Sequence, residues 1–89
     1  MVIRIVEWGV KTNPVGRAVL RVVVVRDDGG FSKFIQMGFD DGDLNAAKRN
    51  LEAQLRVWGR EGLRRGTELR FDWAPEPLGD EVELEHFRQ

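Results

Sequence analysis

Residues 41–58, DGDLNAAKRNLEAQLRVW, limit the fold more than any other part of this chain, because their apolar residues recur at helical spacing. The apolar residues that form this stripe are Leu44, Ala47, Leu51, Leu55 and Trp58. Intervals of three and four residues place these side chains along one side of a helix. The other periodic segments alternate every second residue, as strands do. The single stripe is therefore predicted to pack against one face of a sheet.

Three strands are predicted before the helix, over residues 2–10, 17–26 and 31–39, which are rich in β-branched and aromatic residues. In the first strand, strict alternation predicts one face with Val2, Val6, Trp8 and Val10, and another with Ile3 and Ile5. In the second strand, it separates Ala18, Leu20, Val22 and Val24 from Arg17, Val19, Arg21, Val23 and Val25. In the third strand, it separates Phe31, Lys33, Ile35, Met37 and Phe39 from Ser32, Phe34, Gln36 and Gly38.

Turn and cap residues set the predicted boundaries. The sequence Asp27-Asp28-Gly29-Gly30 predicts a tight antiparallel hairpin, because its residues tolerate positive φ. Asp41 or Asp43 is the expected N-cap of the helix. Glycines at positions 59, 62 and 66 predict that the helix ends near Trp58 or Arg60. Residues 67–73 and 80–87 then alternate again, on either side of a proline-containing segment, and predict two further strands.

These elements predict one α+β domain spanning residues 1–89. We expect an antiparallel sheet of four to five strands, in the order β-β-β-α-β-β, with one amphipathic helix packed on one face. The order of three strands, a helix and a strand resembles that of double-stranded-RNA-binding-like antitoxins and of the arm-binding domains of integrases. The likeness is one of topology, because no motif diagnostic of either family stands in the sequence.

The composition narrows the classes of function. The chain has no cysteine, which excludes disulfides, thiolate metal sites and thiol catalysis. Its longest apolar run, residues 22–25, is far shorter than a membrane span. We therefore expect a soluble, cytoplasmic protein. The net charge of −1 arises from basic and acidic blocks that alternate along the chain. Because these blocks can neutralise one another, they do not demand a partner of one sign.

No constellation of residues predicts an enzyme, a cofactor or a metal site. Asp41, Asp43, Asn45 and Glu52 have the spacing of an EF-hand loop, but Ala46 occupies the position that requires glycine. The N-cap explains the same carboxylates with fewer assumptions. The single histidine, His86, has no triad or metal-ligand spacing around it. The expectation is a non-enzymatic protein without a cofactor or a metal.

Two binding hypotheses remain. The first is nucleic-acid binding through arginines at the helix end and the turn that follows it, with a tryptophan for stacking. Its residues are Arg56, Arg60, Arg64, Arg65 and Arg70, with Trp58 and Trp73 beside them. The acidic run at residues 80–85 and a pI near 5.8 argue against this hypothesis. Both tryptophans are also in phase with the predicted buried stripes.

The second and preferred hypothesis is binding of a second copy or of another protein. It rests on the number of apolar residues in the predicted strands, which is larger than one helix can cover. A sheet has two faces, and an uncovered apolar face is commonly closed by a second copy or by another protein. The predicted contact residues are Trp8, Val19, Val23, Val25 and Phe34, with Arg17 and Arg21 at the rim. The alternative is a sheet that curls enough to bury both sides on itself. We expect a protein that forms a homo-oligomer or docks another protein.

Overall fold

A computed structural model describes residues 1–12, 15, 17–39 and 43–78. The strands are β1 (Val2–Thr12), β2 (Ala18–Arg26), β3 (Ser32–Phe39) and β4 (Arg70–Trp73), and the helix α1 (Leu44–Trp58) lies between β3 and β4. The predicted α+β class and the order of these five elements are confirmed. The strand predicted over residues 80–87 lies outside the described residues.

The four strands form a mixed sheet in the order β3-β2-β1-β4. β1 pairs antiparallel with β2, β2 pairs antiparallel with β3, and β4 pairs parallel with β1. The prediction of an antiparallel sheet is therefore wrong for β4. The physical reason is the connection that precedes it, because a helix, and not a hairpin, carries the chain from one edge of the sheet to the other.

An extra residue in β1 decides which side chains face the helix. Ile5 pairs with Val24 and Glu7 with Val23, so Val6 is a β-bulge without a residue opposite it. The bulge reverses the alternation, and Ile3, Ile5 and Trp8 all join the buried core. The predicted separation of Trp8 from the two isoleucines is wrong, because strict alternation assumes an uninterrupted strand.

The core lies between α1 and one face of the sheet. Ala47, Leu51 and Leu55 are the buried residues of the helix. The buried sheet residues that share their cluster are Ile3, Ile5, Trp8, Leu20, Val22 and Val24, and the partly buried ones include Val10, Ile35, Met37, Phe39, Phe71 and Trp73. Removal of these apolar surfaces from water is the main stabilising contribution. The predicted core faces of β2 and β3 are confirmed.

The last residue of the predicted apolar stripe, Trp58, does not face the core. Trp58 retains 44% of its accessible surface and is not part of the core. The last turn approaches β1 through the backbone of Gly59, where a Cβ atom would lie 2.7 Å from Cδ1 of Ile3. Only glycine permits this approach without a shift of the neighbouring atoms. At the other end, Asp43 is the N-cap, and its side chain accepts a hydrogen bond from the amide of Ala46.

A buried arginine joins the β2–β3 hairpin to the end of the helix. Arg26 is 4% exposed, and its Nη1 donates to the carbonyl oxygens of Gly59 at 2.6 Å and Glu61 at 2.8 Å. Its Nε donates to Oδ1 of Asp28 at 2.6 Å. This bond, followed by one from the amide of Gly30, lowers the pKa of Asp28. The guanidinium thereby satisfies carbonyls that have no partner within the helix, and it complements the negative end of the helix dipole.

Arg26→Met is expected to lower the free energy of unfolding by about 2–3 kcal/mol, because it leaves buried carbonyls without a donor. Arg26→Lys keeps the charge and should lose less. Urea unfolding followed by circular dichroism measures both. Arg49→Met, at an exposed helix position, is the matched control and should change stability by less than about 0.5 kcal/mol. An Arg26→Met protein as stable as this control would contradict the role assigned to Arg26.

Candidate interaction surface

The side of the sheet that faces away from α1 is the candidate site, and we call it the open face. Its apolar residues are Val2, Val6, Val19, Val23, Val25 and Phe34, and its charged residues are Arg4, Glu7, Lys11, Arg17, Arg21, Arg70 and Asp72. Among the residues that the structure describes, no helix or strand packs on this side, because α1 and its buried residues belong to the opposite one. The open face is therefore an apolar surface with charged residues around it.

The centre of the open face combines buried and exposed apolar groups. Val23 is only 1% exposed, although no described element covers it. It lies in register between Phe34 and Glu7. Arg21, two residues earlier in β2, is 9% exposed, so the middle of this face is buried. Phe34 itself is 49% exposed, and Val6 at the bulge is 43% exposed. The bulge thus has a second effect, which is to add an apolar side chain to the open face.

Charges divide the open face along the strand direction. At one end, Arg4 bridges Asp27 at 2.9 Å and Asp72 at 2.7 Å. We call this the carboxylate end. At the other end lie Lys11, Arg17 and Arg21, which we call the basic end. The side chain of Arg17 lies across Gly38, where a Cβ atom would come within 3.2 Å of its Nε. The two ends of the surface are chemically different.

The structure brings most of the predicted contact residues together. Arg17, Val19, Arg21, Val23, Val25 and Phe34 share the open face. Trp8 is the exception, because the bulge turns it into the core, where it is 5% exposed and its Nε1 donates to the carbonyl of Ala74 at 2.7 Å. The placement of Trp8 on the uncovered face is therefore wrong. Val6 takes its place, and the sequence showed Val6 only as part of an alternating strand.

Trp8 instead belongs to an aromatic cluster on the helix side. Its ring meets that of Trp73 edge to face, with centroids 5.9 Å apart. Nζ of Lys48 lies 3.7 Å from the Trp8 centroid and 4.9 Å from that of Trp73, close enough for cation–π attraction. Nε1 of Trp73 donates to Oε2 of Glu52 at 2.8 Å. Burial lowers the pKa of Lys48, and the charge of Glu52 opposes this effect. The side chain of Lys48 thus covers both indole rings.

Lys48→Met is expected to lower the free energy of unfolding by about 1 kcal/mol, because it removes the cation from the two indole faces. Lys48→Arg keeps a cation that can stack on the rings and should retain most of the stability. Chemical unfolding of both variants measures the difference. If Lys48→Met were as stable as the parent protein, the cost of burying the ammonium group would equal its attraction to the rings, contrary to this prediction.

One of the five arginines of the nucleic-acid hypothesis, Arg70, lies apart from the other four. The guanidinium of Arg56 lies 4.9 Å from the Phe71 ring centroid, and Arg60 donates to the carbonyl of Thr67 at 2.7 Å. Arg64 and Arg65 are exposed in the following turn. Arg70 precedes the buried-side Phe71 in β4 and pairs with Val2, which places it on the open face. Four of the five therefore lie at the helix end and its turn, and Trp58 is exposed beside them.

The helical conformation of α1 from Leu44 is incompatible with the EF-hand spacing, since Asn45 and Glu52 are helical. Within the described ranges, no group of three or more His, Cys, Asp or Glu side chains is arranged to hold a metal ion. A shallow cavity of about 250 Å³ lies between the end of β3 and the start of α1, lined by Gly38, Phe39, Asp43, Ala46, Ala47 and Asn50. It is smaller than typical small-molecule sites. His86 lies outside the described residues.

Comparison with models of known protein families, with curated proteins and with solved structures found no match. In the part of the chain that the structure describes, none of the helices has the length and apolar character needed to cross a membrane.

Proposed function

We propose that this chain is a non-enzymatic binding and assembly protein whose open face is covered by another polypeptide, either a second copy or a partner protein. The observation that carries this proposal is the half-exposed ring of Phe34, which lies in the edge strand β3 on a sheet face that no described element covers. Complete burial of a phenylalanine side chain contributes about 1.5–3 kcal/mol, so removal of its exposed half from water contributes roughly 1 kcal/mol. Val6 and the partly buried Val19 and Val25 extend the same apolar surface.

The chemistry of the open face favours a polypeptide over a nucleic acid. Apart from Phe34, its apolar residues are valines, whose aliphatic groups pack against other side chains and offer no surface for base stacking. Glu7 and Asp72 also place carboxylates among the basic groups, and these would repel a phosphate backbone. An apolar centre with a rim of both signs is the arrangement that protein interfaces have.

Phe34→Lys is expected to weaken self-association at least tenfold, or by about 1.4 kcal/mol, because it removes an exposed aromatic contact and adds a charge. Sedimentation equilibrium over a wide range of protein concentration measures the effect. Val57→Lys is the matched control, because Val57 is 73% exposed on the helix and lies off the open face. A wild-type chain that stays monomeric at millimolar concentration would contradict self-association, and equal effects of the two variants would contradict the assigned surface.

A second candidate function is nucleic-acid binding at the end of α1, and the exposed indole of Trp58 favours it. Arg64 and Arg65 lie in a turn that is held by two bonds, from Arg60 to the Thr67 carbonyl and from the Thr67 hydroxyl to the Arg64 carbonyl. An aromatic side chain next to basic groups on an ordered turn is a common arrangement for single-stranded nucleic acids. Glu61 and Glu68 within the same region reduce its positive charge.

If this second surface binds nucleic acid, Trp58→Ala should weaken binding of a fluorescent single-stranded oligonucleotide by about 1–3 kcal/mol through loss of stacking. Replacement of both Arg64 and Arg65 by alanine should also flatten the salt dependence. Fluorescence anisotropy at several salt concentrations measures both effects. Arg49→Ala, which removes an exposed arginine elsewhere on the helix, is the control. The absence of saturable binding at low salt would exclude this function.

A further inference from the structure

We propose that the last eleven residues of this chain, 79–89, cover the middle and the basic end of its own open face, where their carboxylates pair with the basic side chains. We call residues 79–89 the acidic tail. This inference does not depend on the proposed function, which concerns the exposed Phe34 and Val6. A partner that contacts those two residues would lie beside the tail.

Two residues in the middle of the open face are buried and need a cover. Val23 is 1% exposed and Arg21 is 9% exposed, although no described helix or strand packs on this side. In a sheet, neighbouring side chains stand beside a residue, roughly perpendicular to the sheet, and leave its outer end uncovered. A buried arginine also needs a partner of opposite charge, because an unpaired charge is costly away from water. Another part of the chain therefore lies over both side chains.

The short connections outside the described ranges are too far away to supply this cover. Residues 13–14 and 16 precede the start of β2, and residues 40–42 follow the end of β3. Val23 lies five residues into β2, about 16 Å from its start at about 3.3 Å per residue. The acidic tail, with eleven residues, spans up to roughly 36 Å at the same rise. It has the length to cross the whole face.

The chain enters the tail on the open-face side of β1. Gly9 is in register with Arg21, so it occupies an open-face position. Leu78 forms a parallel bridge with Gly9, where a Cβ atom would lie 3.3 Å from the Leu78 carbonyl oxygen. β4 and Leu78 follow β1 in the same direction, so the chain at Leu78 runs towards Lys11 and the basic end. At about 4.8 Å per strand, Leu78 is about 10 Å from Arg21 across the sheet.

The charge of the tail is opposite to that of the basic end. The acidic residues of the tail are Asp80, Glu81, Glu83 and Glu85. The cations of the basic end, each of which has an interaction within the chain, are Lys11, Arg17 and Arg21. The described acids Asp27 and Asp72 lie at the opposite end of the face, where Arg4 bridges them. The tail therefore brings carboxylates to the end of the face that is rich in cations.

A single spin label on the whole chain tests where the tail lies. Because the chain has no cysteine, Gln89→Cys provides a unique site for a nitroxide at the end of the tail. NMR spectra are recorded before and after reduction of the nitroxide, since paramagnetic broadening falls steeply with distance. Val19 and Val23 report on the open face. Val57, which is 73% exposed on the helix, is the control on the other side of the sheet.

The broadening at Val19 and Val23 is expected to exceed that at Val57 at least fivefold. A second sample combines isotope-labelled chain without a nitroxide and spin-labelled chain without isotopes, so that it reports contacts between copies alone. At micromolar concentration, this mixed sample is expected to show no broadening of the open face.

Neutralisation of the tail tests the pairing of charges. Replacement of Glu81, Glu83 and Glu85 by glutamine in the spin-labelled chain should reduce the broadening at Val23 at least twofold. High salt screens the same charges and should act in the same direction, so the test stands even if the triple variant does not fold. Circular dichroism checks the fold of each variant.

Equal broadening on both sides of the sheet, or broadening that neither glutamine replacement nor salt reduces, would overturn the inference. Broadening of the open face in the mixed sample alone would assign the cover to a second copy, which overturns closure by the chain's own tail and supports the proposed assembly. Broadening within one chain, together with a monomeric mass at millimolar concentration, would support the inference and contradict self-association.

Discussion

The extra residue in β1 is the constraint on which the rest of the structure depends. Without the bulge at Val6, Ile3 and Ile5 would face one side of the sheet while Trp8 faced the other. With it, all three contribute to one continuous apolar surface, which matches the single stripe of α1. The sequence of β1 has apolar residues at both odd and even positions, but only one helix packs on the sheet. The bulge solves this mismatch, because it brings Ile3, Ile5 and Trp8 to the face that the helix covers. It also leaves Val6 on the outside, where it enlarges the open face.

Two tethers then fix the helix to that surface. At its C-terminal end, Arg26 binds carbonyls at and just beyond the helix, and Gly59 allows contact with Ile3. In its middle, Lys48 and Glu52 engage the two core tryptophans. Both sets of contacts involve polar side chains, which add to the stability of a small core with little apolar area. With the helix held on one side of the sheet, the chain has no second described element for the other side.

Features that depend on local periodicity could be predicted from the sequence. Features that depend on a single inserted residue or on a contact between distant segments could not. The helical stripe from Leu44 to Leu55 and the core face of β3 repeat regularly, and the structure confirms them. The bulge at Val6 could not be predicted, because the neighbouring residues of β1 are also apolar and the inserted residue does not visibly break the alternation. The parallel direction of β4 follows from a crossover between distant edges, which leaves no mark in Arg70–Trp73 itself. No local pattern pointed to the contacts of Arg26 or Lys48, although a lysine four residues after Leu44 lies beside the buried stripe.

The open face is the feature that links this fold to its proposed role in assembly. The measurement that tests this link most directly is a dilution series of amide and methyl NMR spectra of the isotopically labelled chain. If the open face is the contact surface, resonances of Val6, Val25 and Phe34 will shift as concentration rises, while those of Val57 and the Trp58 indole stay unchanged. Spectra that are independent of concentration, or shifts confined to the helix, would contradict the proposal that this face is where the chain meets its partner.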